Sequence, residues 1–248
     1  MLSVDNLNVS YGGKDVLKDI SFSAGRGKLI GIIGPNGAGK STLIKAMLNL
    51  VKTSSGKVTF DGQPIDSLKK VTAYVKQRMD NDLSFPIQVR DVVMLGLFPQ
   101  MGLFRFPTKE HKQKVINALE QAGLACFEKR QIGELSGGQL QRVFLARVLA
   151  QDAQIIFLDE PFVGVDATSE QIIMDTLRRL RDSGKTIIMV YHDLANVADY
   201  FDEVIVLNKE IIAYGDTQST FTRENICRAY TSSLLNIFAE EVCNGCPD

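Results

Sequence analysis

No apolar run in the 248-residue sequence approaches the roughly 18 residues that a membrane span requires. The opening stretch Met1–Gly13 is polar and alternating, with no basic segment leading into an apolar one, so it does not read as a signal peptide. Cysteine is scarce. Four residues, at 126, 227, 243 and 246, make no disulfide framework for a chain of this size and fit a reducing cytosol. Neither sign of charge prevails: 28 Lys+Arg stand against 29 Asp+Glu, for a net charge of −1. Without a long-range field for a polyanion, nucleic acid is not the expected partner. Internal repeats and low-complexity segments are missing too. What is there, 45% hydrophobic and 23% charged residues with 20 Gly and 7 Pro, is ordinary globular usage and excludes disordered, collagenous and coiled-coil classes. At about 100–200 residues per domain, the expectation is one large α/β domain, or one domain carrying a subdomain, in a soluble cytoplasmic protein.

Hydrophobic patterning alternates between strands and helices. Leu2, Val4, Leu7 and Val9 follow a loose period near two, Ile20 and Phe22 begin another short strand, and Leu29–Ile33 is a continuous apolar run entering a Gly/Pro/Asn cluster. Further strands are expected at Val58–Phe60, Val71–Val75, Ile155–Leu158, Thr186–Val190 and Val204–Leu207. Helical spacing marks Lys40–Leu50, Thr108–Ala122, Gly137–Ala150, Ser169–Arg181 and Leu194–Tyr200. Strand–loop–helix units of this kind imply a parallel sheet with helices on its faces. From about 84 to 150 the pattern holds two or three helices and no convincing strand, which reads as a helical insert in the α/β core.

The strongest chemistry is Gly34-Pro35-Asn36-Gly37-Ala38-Gly39-Lys40-Ser41, which fits the phosphate-loop (P-loop) pattern G-x-x-x-x-G-K-[ST]. Glycines allow a tight turn with its N–H groups pointing inward, and the following helix presents its positive end to the same place. Lys40 can reach the β- and γ-phosphates, and the Ser41 hydroxyl can ligate Mg²⁺. A bare glycine-rich turn is the alternative, but it is rare between an apolar strand and a helix.

Ile155-Ile156-Phe157-Leu158-Asp159-Glu160 supplies a buried strand with two carboxylates at its C-terminal end, where ligands of open α/β sheets bind. Asp159 would hold Mg²⁺ through water, leaving Glu160 to orient and deprotonate an attacking water. Alone, the pair could equally be exposed acids opening a turn before Pro161.

Leu135-Ser136-Gly137-Gly138-Gln139 decides among P-loop classes. Ser136 reads as a helix N-cap, and the two glycines let backbone approach a ligand. The pentapeptide resembles the signature of the ATP-binding cassette (ABC) family, and further matches follow in that family's order. Tyr11 resembles the aromatic that stacks on adenine, Gln77 the Q-loop glutamine, Asp166 the D-loop aspartate and His192 the switch histidine. Taken singly, Tyr11 is a strand-edge aromatic, Gln77 a loop residue and His192 a possible cap for the next helix. Order and spacing change that reading. His111, within Lys109–Lys114, has no such context and reads as part of a solvated helix face.

The resemblance covers residues 1–225 and implies a P-loop NTPase α/β fold: a mainly parallel sheet flanked by helices, an N-terminal antiparallel β portion and a helical subdomain. Residues 1–83 and 151–225 would form the core, 84–150 the helical signature subdomain and 226–248 a C-terminal tail. It implies an ATPase with ATP and Mg²⁺ as cofactors. Tyr11, Gly34, Pro35, Asn36, Gly37, Ala38, Gly39, Lys40, Ser41, Thr42, Ser136, Gly137, Gly138, Gln139 and Asp166 would bind nucleotide. Ser41, Gln77 and Asp159 would serve Mg²⁺, and Glu160, His192 and Gln77 the chemistry. In this family two cassettes pair head to tail, each ATP lying between the P-loop of one and the signature of the other. A second copy of the chain is therefore an expected partner.

A narrower likeness links Phe85–Pro99, Arg130-Gln131-Ile132, Glu160–Ala167 and Gly215–Thr222 to cassettes serving manganese, zinc and iron importers, with manganese preferred. It implies a polytopic permease as partner, an extracytoplasmic metal-binding protein as an indirect one, and a place on the cytoplasmic face of the cell membrane. A soluble ABC protein acting on ribosomes or DNA is the remaining alternative, disfavoured by the single cassette and the charge. Tyr191 departs from many such relatives, which carry a second histidine there. Two further expectations concern the surface. Phe98–Pro107, apolar without a clear period, is expected to help dock the permease, and Cys243 and Cys246 to lie in a tail that is not a metal site.

Overall fold

The computed structural model describes residues 1–76, 85–101 and 106–230, so Gln77, Phe104, Cys243 and Cys246 lie outside the described residues. In chain order the first strands are β1 (Leu2–Tyr11), β2 (Lys14–Ala24) and β3 (Leu29–Ile33), followed by α1 (Lys40–Met47). Next come β4 (Ser55–Phe60), β5 (Gln63–Pro64) and β6 (Thr72–Val75), then the helices α2 (Val89–Leu95), α3 (Phe98–Met101), α4 (Lys109–Gln121) and α5 (Gly137–Gln151). The remainder is β7 (Ile155–Leu158), α6 (Ala167–Asp182), β8 (Thr186–Val190), α7 (Val197–Tyr200), β9 (Glu203–Asn208), β10 (Glu210–Asp216), α8 (Thr217–Thr220) and a helix α9 over residues 223–230. No helix among the described residues is long and apolar enough to cross a membrane. Two compact units emerge: Met1–Ala24, Ile30–Pro64 and Val190 onward form one, Gly25–Leu29 and Ile65–Met189 the other.

In the first unit β2-β1-β4-β5 make an antiparallel sheet. Its apolar residues meet as cross-strand pairs, Val4 with Phe22, Leu7 with Ile20 and Val9 with Leu17, all buried. The loose period of β1 has a cause. Asn6 takes a left-handed φ of 47° and the register shifts between Val4 and Leu7, so one extra residue resets the alternation. β3 is buried throughout and pairs in parallel with β9, which pairs antiparallel with β10. β10 is absent from the sequence expectation because its residues are only half-buried and show no alternation.

The second unit holds the parallel strands β6, β7 and β8, with every residue of β7 and β8 buried. Such strands, covered on both faces, read as unbroken apolar runs. Its described elements from 89 to 151 are helical, packed on one cluster that includes Val89, Val93, Leu119, Val143 and Ala146.

Several helix ends differ from expectation for identifiable reasons. α1 stops at Met47 rather than Leu50 because Asn49 turns left-handed at φ 54°. Asn49 N and Leu50 N then donate to Ala46 O and Lys45 O, which closes the helix end. Over Leu194–Tyr200 a short 3-10 turn precedes a single α-turn. His111 is more than a solvated residue: its Nδ1 accepts from Thr108 N at 3.1 Å while its own N–H reaches Thr108 Oγ1, a reciprocal cap on α4. Phe98–Pro107, expected to lack a period, opens with the helix α3, whose Met101 is buried while Phe98 and Phe106 are 51% and 91% exposed.

Candidate functional site

In the first unit, β3 delivers the chain into the phosphate loop and α1 receives it. Gly34 is required by packing: a Cβ there would lie 2.0 Å from Leu207 O. α1 begins without a side-chain cap, Gly39 standing at its N-cap in a left-handed conformation. Lys40 is 5% exposed, and its ammonium lies within the loop, donating to Gly34 O at 2.7 Å and Pro35 O at 2.9 Å. A buried cation beside a helix N-terminus is an anion cradle. Asn36 and Gly37 stand exposed at its rim, and Ser41 and Thr42 are partly exposed on the first turn of α1.

Tyr11, 49% exposed at the end of β1, pairs with Lys14 across the β1–β2 turn. His192 is exposed just past β8. It does not cap the following turn, since that role falls to Asp193, whose carboxylate accepts from Ala195 N at 2.9 Å. Tyr191 is 4% exposed and packs its ring against Tyr200 and Phe201, with centroids 5.7 Å and 5.3 Å away. The departure at this position is thus a core aromatic.

In the second unit the two carboxylates after β7 occupy different environments. Asp159 is 2% exposed, its N–H donating to Val75 O at 2.9 Å. The Tyr74 hydroxyl donates to Asp159 Oδ2 at 3.4 Å, and burial together with that carboxylate pushes the phenol up, so it remains a donor. Glu160 is partly exposed and takes a left-handed φ of 53°, an uncommon conformation for a side-chain-bearing residue outside Asn and Asp. The chain turns sharply here, so adjacent residues project differently.

Ser136 caps α5 as expected: Gln139 N donates to Ser136 Oγ at 3.3 Å, and Ser136 N to Gln139 Oε1 at 3.0 Å. Gly138 is required by a close approach, since a Cβ would lie 2.3 Å from Ser169 Oγ and 2.7 Å from Asp166 Oδ2. Asp166 caps α6 by accepting from Ser169 N at 2.9 Å. That bond holds its carboxyl below the usual range, with Arg142 adding to the effect. The structure therefore brings Gly138, Asp166 and Ser169 together at two helix N-termini. Tyr74 and Ser169 are missing from the sequence reading, and only the folded contacts single them out.

Ser41 in the first unit offers a hydroxyl and Asp159 in the second a carboxylate, each a hard oxygen donor of the kind Mg²⁺ takes beside phosphate oxygens and water. Among the described residues no group of three or more His, Cys, Asp or Glu side chains could hold a metal ion, and Mg²⁺ held in that way needs none.

Known proteins place this geometry. The ABC transporter family matches residues 17–163. The manganese transport system ATP-binding protein MntB of Listeria innocua is 52% identical over 229 residues, covering 92% of this chain and 95% of that protein. The zinc transport system ATP-binding protein TroB of Treponema pallidum is 48% identical, over 92% of this chain and 86% of that one. A bacterial ABC transporter cassette solved as a dimer superposes with a TM-score of 0.76 at 29% identity, over 87% of this chain and 98% of the other. With a phosphate loop, an acidic strand end and a capped signature helix in the order that family shares, the chain belongs to the ABC transporter family as an ATP-binding cassette.

Proposed function

We propose that this cassette is the ATP-hydrolysing subunit of a membrane importer for a divalent metal ion, with manganese as the cargo. The observation that carries the metal is the 52% identity, over almost the whole of both chains, to a manganese transport ATP-binding protein. The zinc relative at 48% keeps zinc as the second cargo, with iron the remaining choice.

Residue roles follow the family order. Backbone N–H groups of the loop from Gly34 to Thr42 and the Lys40 ammonium bind the phosphates, and Tyr11 stacks on adenine. Ser41, Asp159 and Gln77 serve Mg²⁺, which when bound neutralises phosphate charge and fixes its orientation. Glu160 takes a proton from the attacking water, and His192 steadies the γ-phosphate. Ser136, Gly137, Gly138, Gln139 and Asp166 complete the site of a second copy. ATP then holds two copies head to tail, because the signature reaches γ-phosphate oxygens only in the pair. Hydrolysis removes that ligand and the pair opens, a ligand-driven population shift. Residues 1–83 and 151–225 act as the ATPase core, 84–150 as the signature subdomain and 226–248 as a tail.

The chain acts as a peripheral subunit, held by a polytopic permease at the cytoplasmic face of the membrane. A metal-binding protein outside the membrane presents the cargo, which never touches this chain. The test is metal content by elemental analysis in a strain lacking the gene, with co-purification of the chain and its permease. Loss of manganese, restored by the wild-type chain, supports the reading. Unchanged manganese, zinc and iron with no permease bound would refute it.

A further inference from the structure

The first glycine of the phosphate loop is held from outside the loop, by the last helix of the described chain. α9 is described as far as Tyr230, half-buried, whose phenolic oxygen faces the Gly34 N–H. The helix is tied a second time. Asn208 Nδ2 donates to Ala229 O at 2.8 Å, and Ala229 is fully buried. Asn208 opens the turn between β9 and β10, and its neighbours touch the loop as well. Lys209, left-handed at φ 60°, donates its N–H to Ala38 O at 2.9 Å, while Leu207 O packs against Gly34 so closely that no Cβ fits. Lys209 O in turn accepts from Lys18 N at 2.9 Å, which ties the turn to β2. One turn therefore meets the loop at Gly34 and at Ala38, and α9 is tied both to that turn and to the loop.

We propose that α9 and the β9–β10 turn form a brace that holds the phosphate loop in its ATP-binding geometry, with Tyr230 and Asn208 as positioning residues. The inference rests on the proposed ATP binding by this loop. A loop with three glycines loses much conformational freedom when it is ordered. Fixing its entrance through Gly34 N–H raises the fraction of chains already competent to bind, and apparent affinity scales with that fraction. Linkage makes the effect reciprocal: nucleotide in the loop tightens the docking of α9. A contact that merely steadied this helix would alter stability and leave affinity untouched.

Tyr230→Phe keeps the ring and removes the oxygen that accepts from Gly34. Asn208→Ala cuts the other tie and leaves Tyr230 in place. On the full chain, three quantities are read: the Kd for the non-hydrolysable analogue AMP-PNP with Mg²⁺ by calorimetry, kcat at saturating ATP, and amide exchange of residues 223–230 with and without the analogue. The brace predicts that each variant raises Kd by about three- to tenfold, the range one neutral hydrogen bond carries. kcat at saturation stays within about twofold, because the chemical groups are untouched. In the wild type, α9 exchange slows when the analogue binds. An unchanged or lowered Kd in a folded variant overturns the brace, and so does α9 exchange indifferent to nucleotide. Should Tyr230→Phe fail to fold, Asn208→Ala decides by the same readings. A wild type that binds no analogue overturns the functional reading itself and the brace with it.

Discussion

At the scale of single residues, the proposed roles separate groups that bind from groups that react. Lys40 is buried with its ammonium on two carbonyls of its own loop, so Lys40→Ala removes a charge the loop is built around. Its Kd for MgATP should rise about ten- to hundredfold, the range of a charged hydrogen bond, measured by calorimetry. His192→Ala should differ: the ring is exposed and Asp193 carries the local cap, so binding stays near wild type while phosphate release falls. Equal Kd values for the two variants would contradict this division. Lys40, Asp159 and Glu160 stand out in the sequence because their motifs are short and locally spaced. Tyr74 and Ser169 do not. Their partners, Asp159 and Gly138, lie far off along the chain, and no local spacing reports a contact made only by folding.

At the scale of elements, the signature helix α5 is both a structural and a chemical object. Ser136→Ala removes one cap, a loss of about 0.5–2 kcal/mol, visible as a modest drop in thermal midpoint. ATP turnover should fall far more, because the same hydroxyl is assigned to the γ-phosphate of a second copy. A stability loss with full turnover would leave Ser136 a cap alone. Asp166 gives the pH dependence its sign. Its carboxyl is held below the ordinary 3.8 by the Ser169 N–H, so its capping contribution is complete above that value and lost as pH falls through the lower folded value. In acid titrations followed by circular dichroism, Asp166→Asn should flatten that part of the curve. Buried strands such as β7 and β8 were legible to the residue because parallel strands are apolar on both faces. Half-buried β10 was not, since it shows no alternation, whereas Leu194–Tyr200, read as one helix, is a 3-10 turn followed by the short α7.

At the scale of the whole molecule, the chain is a motor part that acts only in company. Phe106, 91% exposed beside Pro107, belongs to the segment proposed to meet the permease. Phe106→Asp should weaken co-purification with the permease while leaving Kd for MgATP unchanged; an unfolded variant would instead make the segment core. The family and its cofactor were legible from motif order, and the cargo only from the narrower likeness over Phe85–Pro99, Arg130-Gln131-Ile132, Glu160–Ala167 and Gly215–Thr222, since no metal-ligand pattern in the sequence reports it. The central claim is that ATP closes a pair of these cassettes and that Glu160 opens it again by hydrolysis. Glu160→Gln keeps the shape and loses the base, a change worth about 10²–10⁴-fold in rate. The most direct measurement is size-exclusion chromatography of that variant with ATP and Mg²⁺, alongside phosphate release. The account predicts a stable dimer only when MgATP is present, with hydrolysis reduced at least about a hundredfold. A variant that stays monomeric in MgATP, yet hydrolyses at about the wild-type rate, would contradict it.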